Sequence, residues 1–253
     1  MPEKTSLQRE LSELAELETF DTRAFQGDSS VPQDVCSFVL SLALIYNDYK
    51  DIVLAQILLD QEEPQETPLK SRIRGAFSGM NLHLLRLHVA QMHALLEFVR
   101  DGRGEYEHPF FQDLIRQLSR QSRDAWRTVV QVSEGATPQS DLGKALLMIR
   151  HKVSSHYDPR MLYRGYSRHF LGDQPQDDRA YISRGNSMAT SRFFFADAAA
   201  QGVVHDAIGQ DDYSGFMVML GELLRPVNIA LMQIVFMFIQ RRGFAYRSAK
   251  PIQ

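Results

Sequence analysis

The sequence predicts a predominantly all-α protein, and three observations carry that expectation. Apolar residues recur at steps of three and four through several long segments, the period of a helix with one face turned inward. The segments are separated by short polar connections rich in glycine, proline and serine, so consecutive helices are expected to pack antiparallel as a bundle. The composition, 44% hydrophobic and 23% charged over 253 residues, is that of an ordinary globular chain long enough to bury a sizeable core.

The elements follow in chain order. Leu7, Leu11, Leu14 and Leu17 recur at steps of four and three with Glu13, Glu16 and Glu18 between them, an amphipathic arm within residues 1–30 that should dock on another surface. The stretch QGDSSVP breaks it. A second helix is expected over 34–60, with Phe38, Leu42, Ile45, Ile52 and Leu59 among its apolar residues. The two prolines of QEEPQETP make a loop. A third helix, 71–101, carries Ile73, Phe77, Met80, Leu84, Leu87, Met92, Leu95 and Phe98 until DGRG stops it. A fourth is expected over 109–133, with Phe111, Leu114, Ile115, Leu118, Trp126 and Val129 inward, ended by EGATP. The fifth starts at Ser140 or Asp141, either of which can cap, and turns Leu142, Leu146, Ile149 and Val153 to the interior.

Pro159 biases Asp158 out of helical geometry, so the fifth helix should end close to Tyr157. A short helix in PRMLYRGYSRHFL follows. In RAYISRGNSMATSRFFFAD, Tyr181 and Ile182, a Gly-Asn-Ser turn signal and then Phe193, Phe194 and Phe195 predict a small β-hairpin. The chain closes with a long apolar helix over 213–241, kinked near Pro226. Its run PVNIALMQIVFMFIQRRG is interrupted by Asn228 and Gln233 and is shorter than the roughly 18–20 apolar residues of a membrane span, so a buried core helix and no membrane contact are expected. No internal repeat is visible. The expected organisation is an arm at 1–30, a helical bundle at 31–158 and a C-terminal extension at 159–253 packed on the bundle.

A net charge of −3 and a pI near 6.2 give no global attraction for polyphosphate, so nucleic-acid contact requires a local basic patch. The single cysteine, Cys36, excludes an internal disulfide and fits a reducing compartment. The N-terminus is charged and acidic where a secretion signal is basic and then apolar, and a cytoplasmic location is expected.

The chemistry-bearing stretch is IRHKVSSHYDP, at 149–159. On an ideal helix Arg150 and His156 lie roughly 120° apart around the axis and about 9 Å along it, within joint reach of one phosphate if the helix end unwinds. A histidine in the last turn feels the negative end of the helix dipole, which favours its charged form and suits acid or base work. Lys152, Arg160, Arg164 and Arg168 make the surroundings basic, with Asp158 the one local acid. The bland reading of Arg150, Lys152 and His156 is a solvated cationic helix end that complements the dipole.

A late bundle helix carrying Arg150, a polar His151, and His156 after five intervening residues resembles the HEPN superfamily, named for nucleotide binding in higher eukaryotes and prokaryotes. The resemblance covers residues 34–158 and implies an HEPN-like bundle and a metal-independent endoribonuclease, often a toxin or antiviral defence effector. It further implies a homodimer whose site forms where two copies of the motif meet. Arg150 and His156 would be catalytic; His151, Lys152, Tyr157 and Arg160 would bind substrate. RNA would be the substrate, an antitoxin or other protein a partner, and neither cofactor nor metal is called for. RNA supplies its own nucleophile, the 2′-hydroxyl. Two imidazoles in acid and base roles contribute about 10²- to 10⁴-fold each, and a guanidinium steadies the phosphorane. The alternative is a catalytically inactive HEPN-like module that binds protein or nucleotide.

Other candidates are weighed against structural roles. His83, His88 and His93 rotate about 140° at each step and cannot converge on one ion, so they are read as ordinary helix residues. Asn47, Asp48 and Asp51 are read as a buried hydrogen-bond network rather than a site. Ser154 and Ser155 lack an arguable triad. Tyr157 and Asp158 either orient His156 or simply pack and turn. Phe193, Phe194 and Phe195 could stack bases but read better as core. No Gly-Lys phosphate loop, zinc cysteine pair or dinucleotide fingerprint is present.

Overall fold

The computed structural model describes residues 6–12, 15, 18–64, 71–137, 139–154, 158–171, 179–208, 213–243 and 247–248. It is predominantly helical, as the periodicity requires. The helices among the described residues are α1 (Ser6–Leu11), α2 (Gln33–Gln61), α3 (Arg72–Asp101), the single turn α4 (Arg103–Tyr106), α5 (Pro109–Gln117), α6 (Arg120–Gly135), α7 (Asp141–Ile149), α8 (Pro159–Phe170), α9 (Phe194–Ile208) and α10 (Tyr213–Arg241). The chain gathers into two compact units, each built from segments far apart in sequence. Unit 1 comprises Met1–Leu54, Leu95–Glu134 and Gly221–Gln253; unit 2 comprises Ala55–Ala94 and Gly135–Leu220.

Unit 1 is organised by aromatic packing. Phe38 stacks on Phe98 with ring centroids 4.9 Å apart and meets Phe111 edge-on at 5.7 Å. Phe111 and Tyr106 both reach Trp126, at 5.6 and 5.9 Å. Such offset and edge arrangements add to the burial of the rings themselves. Gly102 follows α3 because a side chain there would strike the Phe38 ring, 2.4 Å from the position of its Cβ. Towards the chain's end Phe25 and Phe110 pack on Phe238, which is fully buried. A two-stranded antiparallel ladder, β1 (Glu18–Thr19) with β2 (Arg247–Ser248), pairs segments from opposite ends of the sequence.

In unit 2, α8 and α9 approach backbone to backbone. A Cβ on Gly165 would lie 2.1 Å from the Ala199 carbonyl oxygen, and one on Gly202 would lie 2.9 Å from the Gly165 carbonyl oxygen. Both obstacles are main chain, which cannot swing aside. Gly165→Ala is therefore expected to destabilise the protein by about 1–3 kcal/mol, read as a fall in the denaturant midpoint; an unchanged midpoint would contradict this packing.

Several expectations are corrected. The fourth helix is two, because Ser119 interrupts it: its hydroxyl accepts from the Ser122 N–H (3.1 Å), starting α6 with a cap. The fifth helix does not continue as α to Tyr157; after Ile149 it widens into a π-helical segment, Arg150–Ser154. Around 179–193 the described backbone has an isolated antiparallel bridge, Ser183 with Arg192, and a 3-10 turn at Met188–Thr190, while Phe194 already begins α9. The alanine-rich stretch after the three phenylalanines is a strong helix former and draws Phe194 and Phe195 into its first turn. Asn47, Asp48 and Asp51 are exposed rather than buried. Among the described residues of the arm, α-helix covers Ser6–Leu11, where Leu7 and Leu11 are each 45% exposed, and a 3-10 turn covers Thr22–Phe25; Leu14 and Leu17 lie outside the described residues. The last helix has the expected bounds and runs on through Pro226. Its Gly215–Arg241 portion is long and apolar enough to cross a membrane, with a mean hydropathy of 1.5 in its most apolar stretch, 39% of which is buried.

Candidate functional site

Unit 2 brings the motif against α3. Ser140 caps α7 by accepting from the Gly143 N–H (3.1 Å), and buried Leu146 and Ile149 fix its inner face, which delivers Arg150 to the helix end. The Arg150 N–H is shared between the carbonyls of Leu146 and Leu147, and from there the ladder opens into the π turn. Such widened turns recur at functional sites.

Two ties fasten this turn to α3. The Ser154 hydroxyl donates to the Arg86 carbonyl oxygen at 3.2 Å. Nη1 of Arg150, half-buried, lies 2.8 Å from Nδ1 of His93, a residue 57 positions earlier. A guanidinium has donors only, so Nδ1 is the acceptor and the ring proton of this neutral imidazole sits on Nε2. His151, exposed, meets His93 edge-on with centroids 6.3 Å apart. The result is one guanidinium and two imidazoles in a single cluster, His93, Arg150 and His151.

No family model, curated protein or solved structure matches this chain. The site is read from its own chemistry. Of the residues expected to act, His156 and Tyr157 lie outside the described residues, as does Ser155. Lys152 is half-buried and pairs with Asp158 at 2.8 Å, so its ammonium is committed to closing the turn. Asp158 also caps α8, accepting from the Arg160 and Met161 N–H groups at 3.0 and 3.3 Å. The Lys152 ammonium first, then the Met161 and Arg160 amides, hold its carboxyl below the usual carboxylate range. The stabilisation this brings is complete above the ordinary Asp pKa of about 4 and is lost as the pH falls through the lowered value. Arg160 is exposed in the first turn of α8.

The basic patch is narrower than the sequence suggests. Arg164 reaches Asp206 at 3.3 Å, and Arg168 pairs with the same carboxylate, which comes from α9 and is largely buried. Asp158 is thus not the only acid nearby. His93 does not meet His83 or His88, as their spacing predicts, yet it belongs to the site through Arg150, which the sequence places far away. Its signal was there: Gly79, Arg86 and His93 are spaced by seven and share one face of α3.

Proposed function

We propose that the chain is an HEPN-like, metal-independent endoribonuclease acting from the Arg150 cluster, with His156 and a symmetric second copy completing the site. The observation that carries this reading is the hydrogen bond between Arg150 and His93 with His151 beside it. It gathers a phosphate-binding guanidinium and proton-transferring imidazoles at the motif that carries the family resemblance. An imidazole removes the proton of the 2′-hydroxyl, and the 2′-oxygen attacks phosphorus. The bond to the 5′-oxygen breaks as an imidazolium protonates it, leaving a 2′,3′-cyclic phosphate and a 5′-hydroxyl. Arg150 neutralises the charge that builds on the non-bridging oxygens.

The test is incubation of the purified protein with mixed RNA, with and without EDTA, followed by analysis of the product ends. Cleavage that survives chelation, yields cyclic phosphate ends and is lost in His156→Ala is expected. Undiminished cleavage by His156→Ala, or loss of activity in EDTA, would overturn the reading. A second reading, an inactive module that binds a protein, draws on α3, where Ile73, Met80 and Leu87 are exposed at seven-residue intervals as a seam for another helix. Absence of any RNA cleavage by the intact protein would favour it.

A further inference from the structure

Asn47, Asp48 and Asp51, which the proposed chemistry leaves unused, share one side of α2 with two leucines. Leu40, Leu44, Asn47, Asp48 and Asp51 fall within about 100° of arc on a helix and form a single stripe in unit 1. Leu40 is 55% and Leu44 62% exposed, and the three polar residues are exposed as well. Lys50 points about 100° away from Asp51, so the stripe is acidic at one end and apolar at the other. Unit 2 carries a matching face on α8. Gly165 turns the inner side of that helix to α9, which leaves Arg160, Arg164 and Leu171 on the outer side within about 40° of arc, and Tyr163 at its edge. Tyr163 is 66% and Leu171 61% exposed. Arg164 and Arg168 share the Asp206 carboxylate, so three arginines stand against one acid.

We infer that the outer face of α8 docks on the Leu40–Asp51 stripe of α2 in a second copy of this chain. Both faces span the same number of residues, about 16 Å along the axis, and run in opposite order. Laid antiparallel, they set Arg160 against Asp51, Arg164 against Asn47 and Asp48, and Leu171 against Leu40. Opposed charges fix the register, and the leucines supply the apolar contact. A contact of about three helical turns a side is a small interface, so the association is weak and sensitive to salt. The inference does not rest on the nuclease reading, whose symmetric dimer meets at the Arg150 cluster instead.

Sedimentation velocity on the full chain, from about 1 μM to 1 mM and at low and high salt, tests it. The weight-average mass of the wild type is expected to rise with concentration, and to rise less in high salt. Asp51→Arg and Arg160→Asp, both at exposed positions, should each weaken association about tenfold or more, because like charges then face each other. Leu44→Ser should weaken it and leave the salt dependence unchanged. Mixing Asp51→Arg with Arg160→Asp should restore wild-type association, since each variant presents the complement of the other. Combining both changes in one chain should restore it too. A wild type that stays monomeric throughout, or a mixture that fails to recover, would overturn the docking. Association indifferent to both reversals would overturn it as well, and would leave the symmetric dimer of the nuclease reading as the source of the mass.

Discussion

Alanine in place of Arg150 is expected to lower RNA cleavage by about 10²- to 10³-fold, the loss found when a donor to a developing oxyanion is removed. The loss should fall on kcat, because the charge that Arg150 meets is greatest in the transition state. Lysine should not rescue it: one ammonium cannot both hold Nδ1 of His93, as Nη1 does at 2.8 Å, and present a planar fork to phosphate. His93→Asn separates positioning from proton transfer. The amide oxygen can still accept from the guanidinium, so a variant that keeps activity and an unaltered pH–rate profile identifies His93 as the group that aims Arg150. Loss of one limb of the profile would make it an acid or base instead. Equal rates for the wild type and Arg150→Ala would remove the catalytic assignment altogether.

Arg242→Ala is expected to cost about 1–3 kcal/mol of stability at a position remote from the proposed chemistry. Within unit 1 this guanidinium, only 9% exposed, donates to the carbonyl oxygens of Ala24 at 3.0 Å and Gln26 at 2.6 Å, and to the Asp28 carboxylate at 2.5 Å. Removing it strands the Ala24 carbonyl in a partly buried setting, worth about 1–3 kcal/mol when left unmade, while the exposed Gln26 carbonyl returns to water. The carboxylate faces water and contributes little of this. Asp28 itself ties the loop together by accepting from the Ser30 hydroxyl and amide and from the Val31 amide. The Ser30 hydroxyl first, then Arg242, keep its carboxyl well below the usual range. Its share of stability is therefore present above about pH 4 and disappears on acidification through the lowered value. Urea denaturation at neutral pH and again below pH 4 checks both statements: the gap between wild type and Arg242→Ala should narrow in acid. A gap that stays constant would sever Asp28 from the clamp.

The long helices were legible because their signals are local. Ser140 caps α7 where a short polar side chain followed by apolar periodicity predicts a cap, and Gly102 ends α3 where two nearby glycines predict a stop. What escaped was decided by competition or by distance. The apolar period runs unbroken through Leu118 and Ser119, yet the hydroxyl of Ser119 captures an amide and ends one helix to begin another. Phe193 to Phe195 resemble a strand taken alone, but the alanines beyond them prevail. At the candidate site, Arg150 and His151 were found from their own neighbourhood. The angular spacing of His83, His88 and His93 bears only on contacts within one helix, and the partner of His93 comes from another. The ties of Arg164 and Arg168 to Asp206 were equally invisible, since sequence proximity ranks only neighbours along the chain.

The widened turn at Arg150–Ser154 bears on how motif spacing should be understood. Its hydrogen bonds reach one residue further than those of an α-helix, so the segment absorbs a length change that a regular ladder would convert into a rotation of roughly 100°. With Arg150 held from His93 and Ser154 from the Arg86 carbonyl, both ends are anchored independently of the residue count between them. A residue gained or lost within Arg150–Ser154 is then taken up between these two ties instead of turning every residue that follows.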